Sequence, residues 1–283
     1  SASRLLVIVS GMHGVESLPG AAIQVGWIES GGAQLLPPDT AVLMVHQANP
    51  WGCAYRRRFN EDNIDLNRNF VDHARGHPAN PDYAEVHPWL VPDDWDGPAR
   101  AAADTAIAGY IAAHGEAAYQ RVVSMGQYSH ADGLFYGGVA PSWSNENWRA
   151  VLREHGANRK RLCVIDYHTA DYIMLLPHKG DDELIESIRT NIMARLRNRY
   201  VTQAPYNGAY QQVNMERVSD RTRAPYLIGY AAEKGAPASF LIEMSGNRDD
   251  VHALVMNTDS VVEICLAAMQ ECLSWLPGPG QSA

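Results

Sequence analysis

Four runs of consecutive apolar and β-branched residues constrain the fold of this 283-residue chain more than any other feature. They cover residues 5–9, 41–45, 162–165 and 238–242. Unbroken apolar runs, in contrast to alternating patterns, are typical of strands that are buried on both faces. Helical patterns separate the runs, so the chain predicts an α/β three-layer sandwich. We expect a mixed, largely parallel, twisted sheet with helices on both faces, in a single domain over residues 1–283.

The segments between the runs contain the predicted helices and one long loop. A short strand is also predicted over 172–176, and the Asn-, Asp-, Arg- and Pro-rich segment 50–81 is predicted to be mainly loop. The predicted helices cover residues 20–29, 98–118, 143–155, 181–198 and 251–275.

Side chains with metal-binding and catalytic chemistry follow the ends of three of these strands. His13 and Glu16 follow the first run, His168 follows the third, and Glu243 directly follows the run 238–242. Two histidines and a carboxylate fill three corners of a tetrahedral Zn²⁺ site and leave the fourth for water, which is typical of catalytic zinc. An isolated H-x-x-E is frequent by chance, and His168 alone is equally well explained as a core histidine. Glu243 is a candidate general base, with a structural carboxylate paired to an arginine as the alternative.

Taken in this order, the motifs resemble the zinc carboxypeptidase superfamily, which has an H-x-x-E pair, a later histidine and a distant catalytic glutamate. The resemblance covers residues 13–243, which is most of the chain. Its most specific part is the block Asn-Pro…Arg…Asp-Leu-Asn-Arg, which ends at residue 68 and is also similar to the aspartoacylase and succinylglutamate desuccinylase branch. Residues 127–138 resemble a bacterial carboxypeptidase-like branch of poorly defined function.

The resemblance implies roles for the residues of this block. Asp65 is expected to accept the free ring N–H of His13, which fixes the tautomer of the ligand. Asn67 and Arg68 are expected to clamp a terminal carboxylate, because a planar guanidinium can bind both carboxylate oxygens.

The resemblance also implies an oxyanion-stabilising arginine. Arg58 is preferred for this role because it precedes the aromatic Phe59, although its neighbours Arg56 and Arg57 compete for it. Carboxypeptidases usually add a mobile tyrosine, and the sequence does not choose among Tyr206, Tyr210, Tyr226 and Tyr230.

These observations predict a hydrolase with one Zn²⁺ per chain that cleaves an amide bond adjacent to a free carboxylate. Its substrate would be a peptide or an N-acyl amino acid. The first alternative is an N-acyl amino acid deacylase of the aspartoacylase type, a branch that usually adds a β-rich C-terminal domain. This chain instead ends in a predicted helix soon after Glu243, which favours a metallocarboxypeptidase. The second alternative is a catalytically silent binding module with the same fold.

Composition and charge limit the binding partners and the cellular compartment that we expect for this chain. The net charge of −9 argues against nucleic acid or an anionic membrane as a partner. Without a signal peptide or a long apolar segment, a cytoplasmic location is expected, although the abrupt start suggests that a longer natural protein was trimmed. The oligomeric state is not predicted. No C-x-x-C pair occurs, so a thiolate zinc site is not expected, and reduced, buried thiols are predicted for Cys53, Cys163, Cys265 and Cys272.

Overall fold

A computed structural model of the protein describes residues 2–170, 174–177 and 238–245. The strands, numbered in chain order, are β1 (Arg4–Val9), β2 (Thr40–Val45), β3 (Arg161–Ala170), β4 (Met174–Pro177) and β5 (Ala238–Ser245). They form one sheet in the order β2-β1-β3-β5-β4. All the pairings are parallel except that of β4 with β5. This mixed, largely parallel sheet confirms the predicted α/β class.

Seven α-helices occur within the described ranges. The helix predicted over 98–118 is two helices, because Gly115 has a φ of 88° and interrupts the helical path. The helices predicted over 181–198 and 251–275 lie outside the described residues. No described helix is both long and apolar enough to cross a bilayer. The helices are α1 (Ser17–Glu29), α2 (Pro50–Tyr55), α3 (Leu66–Asn69), α4 (Tyr83–Leu90), α5 (Pro98–His114), α6 (Glu116–Ser124) and α7 (Trp143–Val151), and a π-helical turn (Leu152–Gly156) extends α7.

The core of the described residues lies around β1 and β3, two adjacent inner strands of the sheet. All six residues of β1 are buried, as the sequence predicts for a strand covered on both faces. On one face, Leu5, Val7 and Val9 pack in a single cluster with Leu66 of α3 and Trp148 of α7. The prediction of a buried β2 is wrong, since all six of its residues are half-buried. The cause is its position at the edge of the described part of the sheet, where β1 is its only described neighbour.

The two described cysteines, Cys53 and Cys163, are free thiols, as predicted. Cys163 is buried within β3, whereas Cys53 is half-buried. Burial raises the pKa of the Cys53 thiol, which keeps it protonated and unreactive at neutral pH. Cys265 and Cys272 lie outside the described residues.

The sheet topology brings distant motifs to one edge. Because β1 and β3 are parallel and pair Val9 with Asp166, their carboxyl ends are adjacent. Open α/β sheets bind ligands outside this edge. In the next parallel pair, the backbone of His168 in β3 is opposite that of Glu243 in β5. That the whole chain forms one domain stays a prediction.

Candidate metal centre

Three predicted ligands meet at the carboxyl ends of β1 and β3. His13, Glu16 and His168 are almost completely buried, each with 4% or less of its surface exposed. The Nδ1 atoms of His13 and His168 are 3.1 Å apart. The carboxylate of Glu16 is 3.2 Å from His13 Nδ1 through Oε1 and 3.3 Å from His168 Nδ1 through Oε2. The three side chains thus form a compact triangle, in which each histidine contacts a different oxygen of Glu16.

The dimensions of this triangle are compatible with a tetrahedral zinc site. Zinc bonds to nitrogen or oxygen of about 2.0–2.2 Å imply tetrahedron edges of about 3.3 Å, close to the 3.1 Å between the two Nδ1 atoms and to the 3.2 Å and 3.3 Å from each Nδ1 atom to its nearer Glu16 oxygen. Two imidazole nitrogens and one carboxylate also suit zinc chemically, and three protein ligands leave one corner for water or substrate. His13, Glu16 and His168 could therefore hold one metal ion.

The turn that carries the first two ligands depends on close backbone packing. Gly14 begins a short 3₁₀ turn (Gly14–Glu16) directly after His13. A Cβ atom at Gly14 would lie 1.9 Å from the carbonyl carbon of Gly52 in α2. Only glycine lets the turn approach α2 this closely. The positions of His13 and Glu16 therefore depend on the absence of a side chain at residue 14.

Each of the two candidate ligand histidines has a carboxylate at its other ring nitrogen. Asp65 Oδ1 is 3.3 Å from His13 Nε2, and Asp166 Oδ2 is 2.8 Å from His168 Nε2. Such carboxylates orient the rings and leave the Nδ1 lone pairs for a metal. Burial lowers the pKa of His168, but Asp166 and Glu16 outweigh burial and raise it well above the ordinary value.

The contact of Asp65 was expected from the sequence, whereas a role for Asp166 was not. The strand pattern of the sequence is the signal that could have indicated a role for Asp166. Side chains two residues apart in a strand share a face, which places Asp166 beside His168.

Arg58 lies next to the ligand triangle. Its Nε atom donates to Asp65 Oδ2 at 3.1 Å, and its NH1 atom is 3.6 Å from Glu16 Oε1. The side chain keeps 27% of its surface exposed, so it borders both the buried site and the solvent. The competing residues Arg56 and Arg57 are exposed.

The acidic groups around the centre are held in their charged form. Burial raises the pKa of Glu16, but His13 and His168 outweigh it and hold the pKa well below the ordinary value. Burial likewise raises the pKa of Asp65, and Arg58 and His13 reverse the effect, so that its pKa is well below the usual range. Both carboxylates are therefore ionised at neutral pH, as a cation site requires.

Asn67 and Arg68 are consecutive but contact different parts of the structure. Asn67 Nδ2 lies 3.4 Å from Nε2 of His168, next to the centre. The Arg68 guanidinium donates to the carbonyl of Asn67 at 3.1 Å and to that of Ser124, at the end of α6, at 2.6 Å. Both side chains are buried. Their proposed role in binding a carboxylate stays a prediction.

The predicted base, Glu243, is described only through its backbone. In β5 it pairs with His168 on one side and with Met174 of β4 on the other. Its backbone is therefore adjacent to that of a predicted ligand. Its side chain lies outside the described residues, as do the candidate tyrosines Tyr206, Tyr210, Tyr226 and Tyr230, so their roles stay predictions.

The fold is similar to that of known carboxypeptidase-like hydrolases. Bovine thrombin-activatable fibrinolysis inhibitor, in complex with tick carboxypeptidase inhibitor, is 14% identical over 96% of this chain and 81% of that chain, with a TM-score of 0.60. A second structure of thrombin-activatable fibrinolysis inhibitor is 14% identical over 97% and 62%, with a TM-score of 0.59. Succinylglutamate desuccinylase from Vibrio cholerae is 17% identical over 100% and 60%, with a TM-score of 0.49.

The two structures of thrombin-activatable fibrinolysis inhibitor show that this chain has a carboxypeptidase-like fold, which confirms the resemblance drawn from the motifs. The class that the fold defines is thus carboxypeptidase-like. A family model described as "Protein of unknown function (DUF2817)" matches residues 1–218, so the chain belongs to that family. A search of the curated proteins gave no match.

Proposed function

We propose that this protein is a zinc-dependent hydrolase that cleaves an amide bond adjacent to a free carboxylate, as a metallocarboxypeptidase does. The observation that carries the proposal is the buried triangle of His13, Glu16 and His168, whose potential ligand atoms lie close enough together to share one metal ion and which has an arginine beside it. Its substrate would be a peptide or an N-acyl amino acid.

The metal site would bind one Zn²⁺ per chain. When bound, zinc supplies Lewis acidity, which lowers the pKa of water and polarises a carbonyl group. Asp65 and Asp166 hold the two imidazole rings with Nδ1 directed at the site. Because these carboxylates are buried, they keep the ligands in one orientation before substrate arrives.

Glu243 is the proposed general base. Its carboxylate takes a proton from water as the water oxygen attacks the substrate carbonyl carbon. It then gives that proton to the amide nitrogen as the C–N bond breaks. The pairing of its backbone with that of His168 supports this role, since the register brings the residue to the metal-binding edge of the sheet.

Two arginines with different surroundings are proposed to bind the substrate, one at the scissile carbonyl and the other at the terminal carboxylate. Arg58, partly exposed and next to Glu16, would donate to the carbonyl oxygen as negative charge develops there. Asn67 and Arg68 would bind the terminal carboxylate. A buried guanidinium is suited to this because low polarity strengthens a charged hydrogen bond.

The test is a pair of substrates that differ only in a C-terminal acid or amide. Truncating one partner of a buried charge pair costs about 2–5 kcal/mol, roughly 30- to 5,000-fold. The wild type should therefore favour the acid by this order in kcat/KM, and Arg68→Ala should lose most of the preference. The exposed Arg56→Ala is the matched control and should keep it. Equal wild-type rates on acid and amide would refute the proposal.

Assays of dipeptides beside N-acyl amino acids separate the two hydrolase alternatives. The block ending at Arg68 is similar to the aspartoacylase branch as well as to carboxypeptidases, so the block alone does not decide between them. Faster turnover of N-acyl amino acids would indicate a deacylase. Metal binding without turnover of either class would indicate a silent binding module.

A further inference from the structure

Phe135 has a backbone conformation that is unusual for a bulky side chain. Its φ is +54°, in the left-handed region, and the other described non-glycine residues with positive φ are Asp39, Gln47, Arg56 and Asn63, none of them aromatic. Holding a residue in such a region costs roughly 1–3 kcal/mol and persists only where the surrounding structure enforces it.

The surrounding hydrogen bonds supply that enforcement. The Phe135 carbonyl accepts from the Gln127 backbone N–H at 3.1 Å, and the next carbonyl, of Tyr136, accepts from the Asp65 N–H at 2.8 Å. On the other side, the hydroxyl of Tyr83 in α4 donates to the Leu134 carbonyl at 3.0 Å. The residues on the two sides of Phe135 are thus hydrogen-bonded to Asp65, beside the candidate metal centre, and to helix α4.

The ring of Phe135 lies within cation–π distance of both proposed substrate-binding arginines. The Cζ atoms of Arg58 and Arg68 are 5.1 Å and 5.4 Å from its centroid. A guanidinium within about 6 Å of an aromatic face is attracted to it. One ring is therefore a shared contact of the two guanidinium groups.

The ring also connects these arginines to the helices. Phe135 packs against the apolar cluster formed by Tyr83 and Val86 of α4 with Val122 and Val123 of α6. That packing restricts the positions open to the ring, and the ring in turn contacts the guanidinium groups.

We propose that Phe135 is a positioning residue that sets the spacing and orientation of Arg58 and Arg68. Through this spacing it would determine how far the substrate carboxylate lies from the scissile carbonyl. The inference rests on the proposed function, because it takes the two arginines as the groups that bind substrate.

The experiment compares Phe135→Leu, which keeps apolar volume without an aromatic face, with Phe135→Tyr, which keeps the face. Val139→Ala, at an exposed position near the same loop, is the control. We expect kcat/KM on the acid substrate to fall about tenfold in Phe135→Leu, or 1.4 kcal/mol. Both a lower kcat and a higher KM should contribute. Phe135→Tyr and Val139→Ala should stay within about threefold of wild type. Thermal unfolding of each variant corrects the rates for the folded fraction.

A second arm separates positioning from general stability. In an Arg68→Ala background, Phe135→Leu should change the acid/amide ratio by less than about threefold, because the arginine that is proposed to bind the substrate carboxylate, and through which Phe135 would affect this ratio, is gone. If Phe135→Leu does not fold, Phe135→Gly replaces it, since glycine relieves the positive φ and still removes the ring. Wild-type kinetics in Phe135→Leu, or in Phe135→Gly where it replaces that variant, would overturn the role of Phe135. An equal change of the acid/amide ratio in the wild-type and the Arg68→Ala backgrounds would also overturn it. Equal wild-type rates on acid and amide would instead contradict the proposed function.

Discussion

Replacing Asp65 with asparagine tests the link between the metal centre and its arginine. The carboxylate is fully buried and is shared by three groups. It contacts His13 Nε2 at 3.3 Å, accepts from Arg58 Nε at 3.1 Å and accepts from the Asn67 backbone N–H at 2.9 Å as the N-cap of α3. Asparagine keeps the volume and one acceptor oxygen, so the cap is retained while the charge is lost.

The expected effects follow from what the charge does. Removing the carboxylate behind a metal-binding histidine typically weakens metal affinity about 10- to 100-fold, or roughly 1.4–2.7 kcal/mol. Breaking a fully buried ion pair costs about 3–5 kcal/mol of folding free energy. Arg58 keeps 27% of its side-chain surface in water, which can solvate the abandoned charge, so the expected loss for Asp65→Asn is about 1–3 kcal/mol.

Two measurements check these values. Competition with a chromophoric chelator gives the zinc affinity, and urea unfolding of the metal-free protein gives the stability. Asp72→Asn is the matched control, because Asp72 also caps a helical turn, through Ala74, but lies on the surface beside the exposed Arg75. It should change neither quantity measurably. Zinc affinity within twofold of wild type, with unchanged unfolding, would refute the reasoning for Asp65.

Three further predictions concern the base, the ligand turn and the pH dependence. Glu243→Gln should keep zinc and the folded state but lose about 10²–10⁴-fold in kcat, and turnover within threefold of wild type would exclude the base role. Gly14→Ala should fail to fold or lose zinc, because its Cβ would overlap the Gly52 backbone at 1.9 Å, whereas Gly109→Ala, with open space in α5, should gain about 0.5–1 kcal/mol in thermal unfolding. The pKa of His168 is raised in the metal-free fold, so zinc affinity in pH-series titrations should rise with pH, by up to about tenfold per unit. The stability of the metal-free protein should fall as pH rises from about 6.5 through that raised pKa, and a flat profile would contradict the assignment.

The sequence predicted the inner strands β1 and β3 and the proximity of the candidate metal ligands for the same reason. Unbroken apolar runs identify strands that are covered on both faces, and β1 and β3 are such strands. Because the two strands are parallel, the polar residues that follow or end them meet at one edge, which brings His13 near His168. The apolar pattern of β1 and β3 and the parallel pairing of these two strands therefore indicate the same arrangement at the centre of the fold.

The features that were missed depend on contacts that no local pattern reports. A run of five apolar residues does not show whether a strand is inner or at an edge, so the partial exposure of β2 was not predicted. The break at Gly115 separates two segments that are each strongly helical, and the alanine-rich pattern hides it. The positive φ of Phe135 is enforced by hydrogen bonds from Gln127 and Asp65, which are distant from one another in sequence.

The adjacency of Asn67 and Arg68 shows a further limit of motif reasoning. Consecutive residues in a helical turn do not face the same side, so a pair that is read as one clamp need not act from one direction. In α3, Asn67 lies against His168, whereas Arg68 donates to the Ser124 carbonyl and lies near the Phe135 ring. If both bind the substrate carboxylate, that group must lie between the metal centre and the end of α6. The helices α4–α6 would then take part in defining the substrate pocket through the groups that hold Arg68.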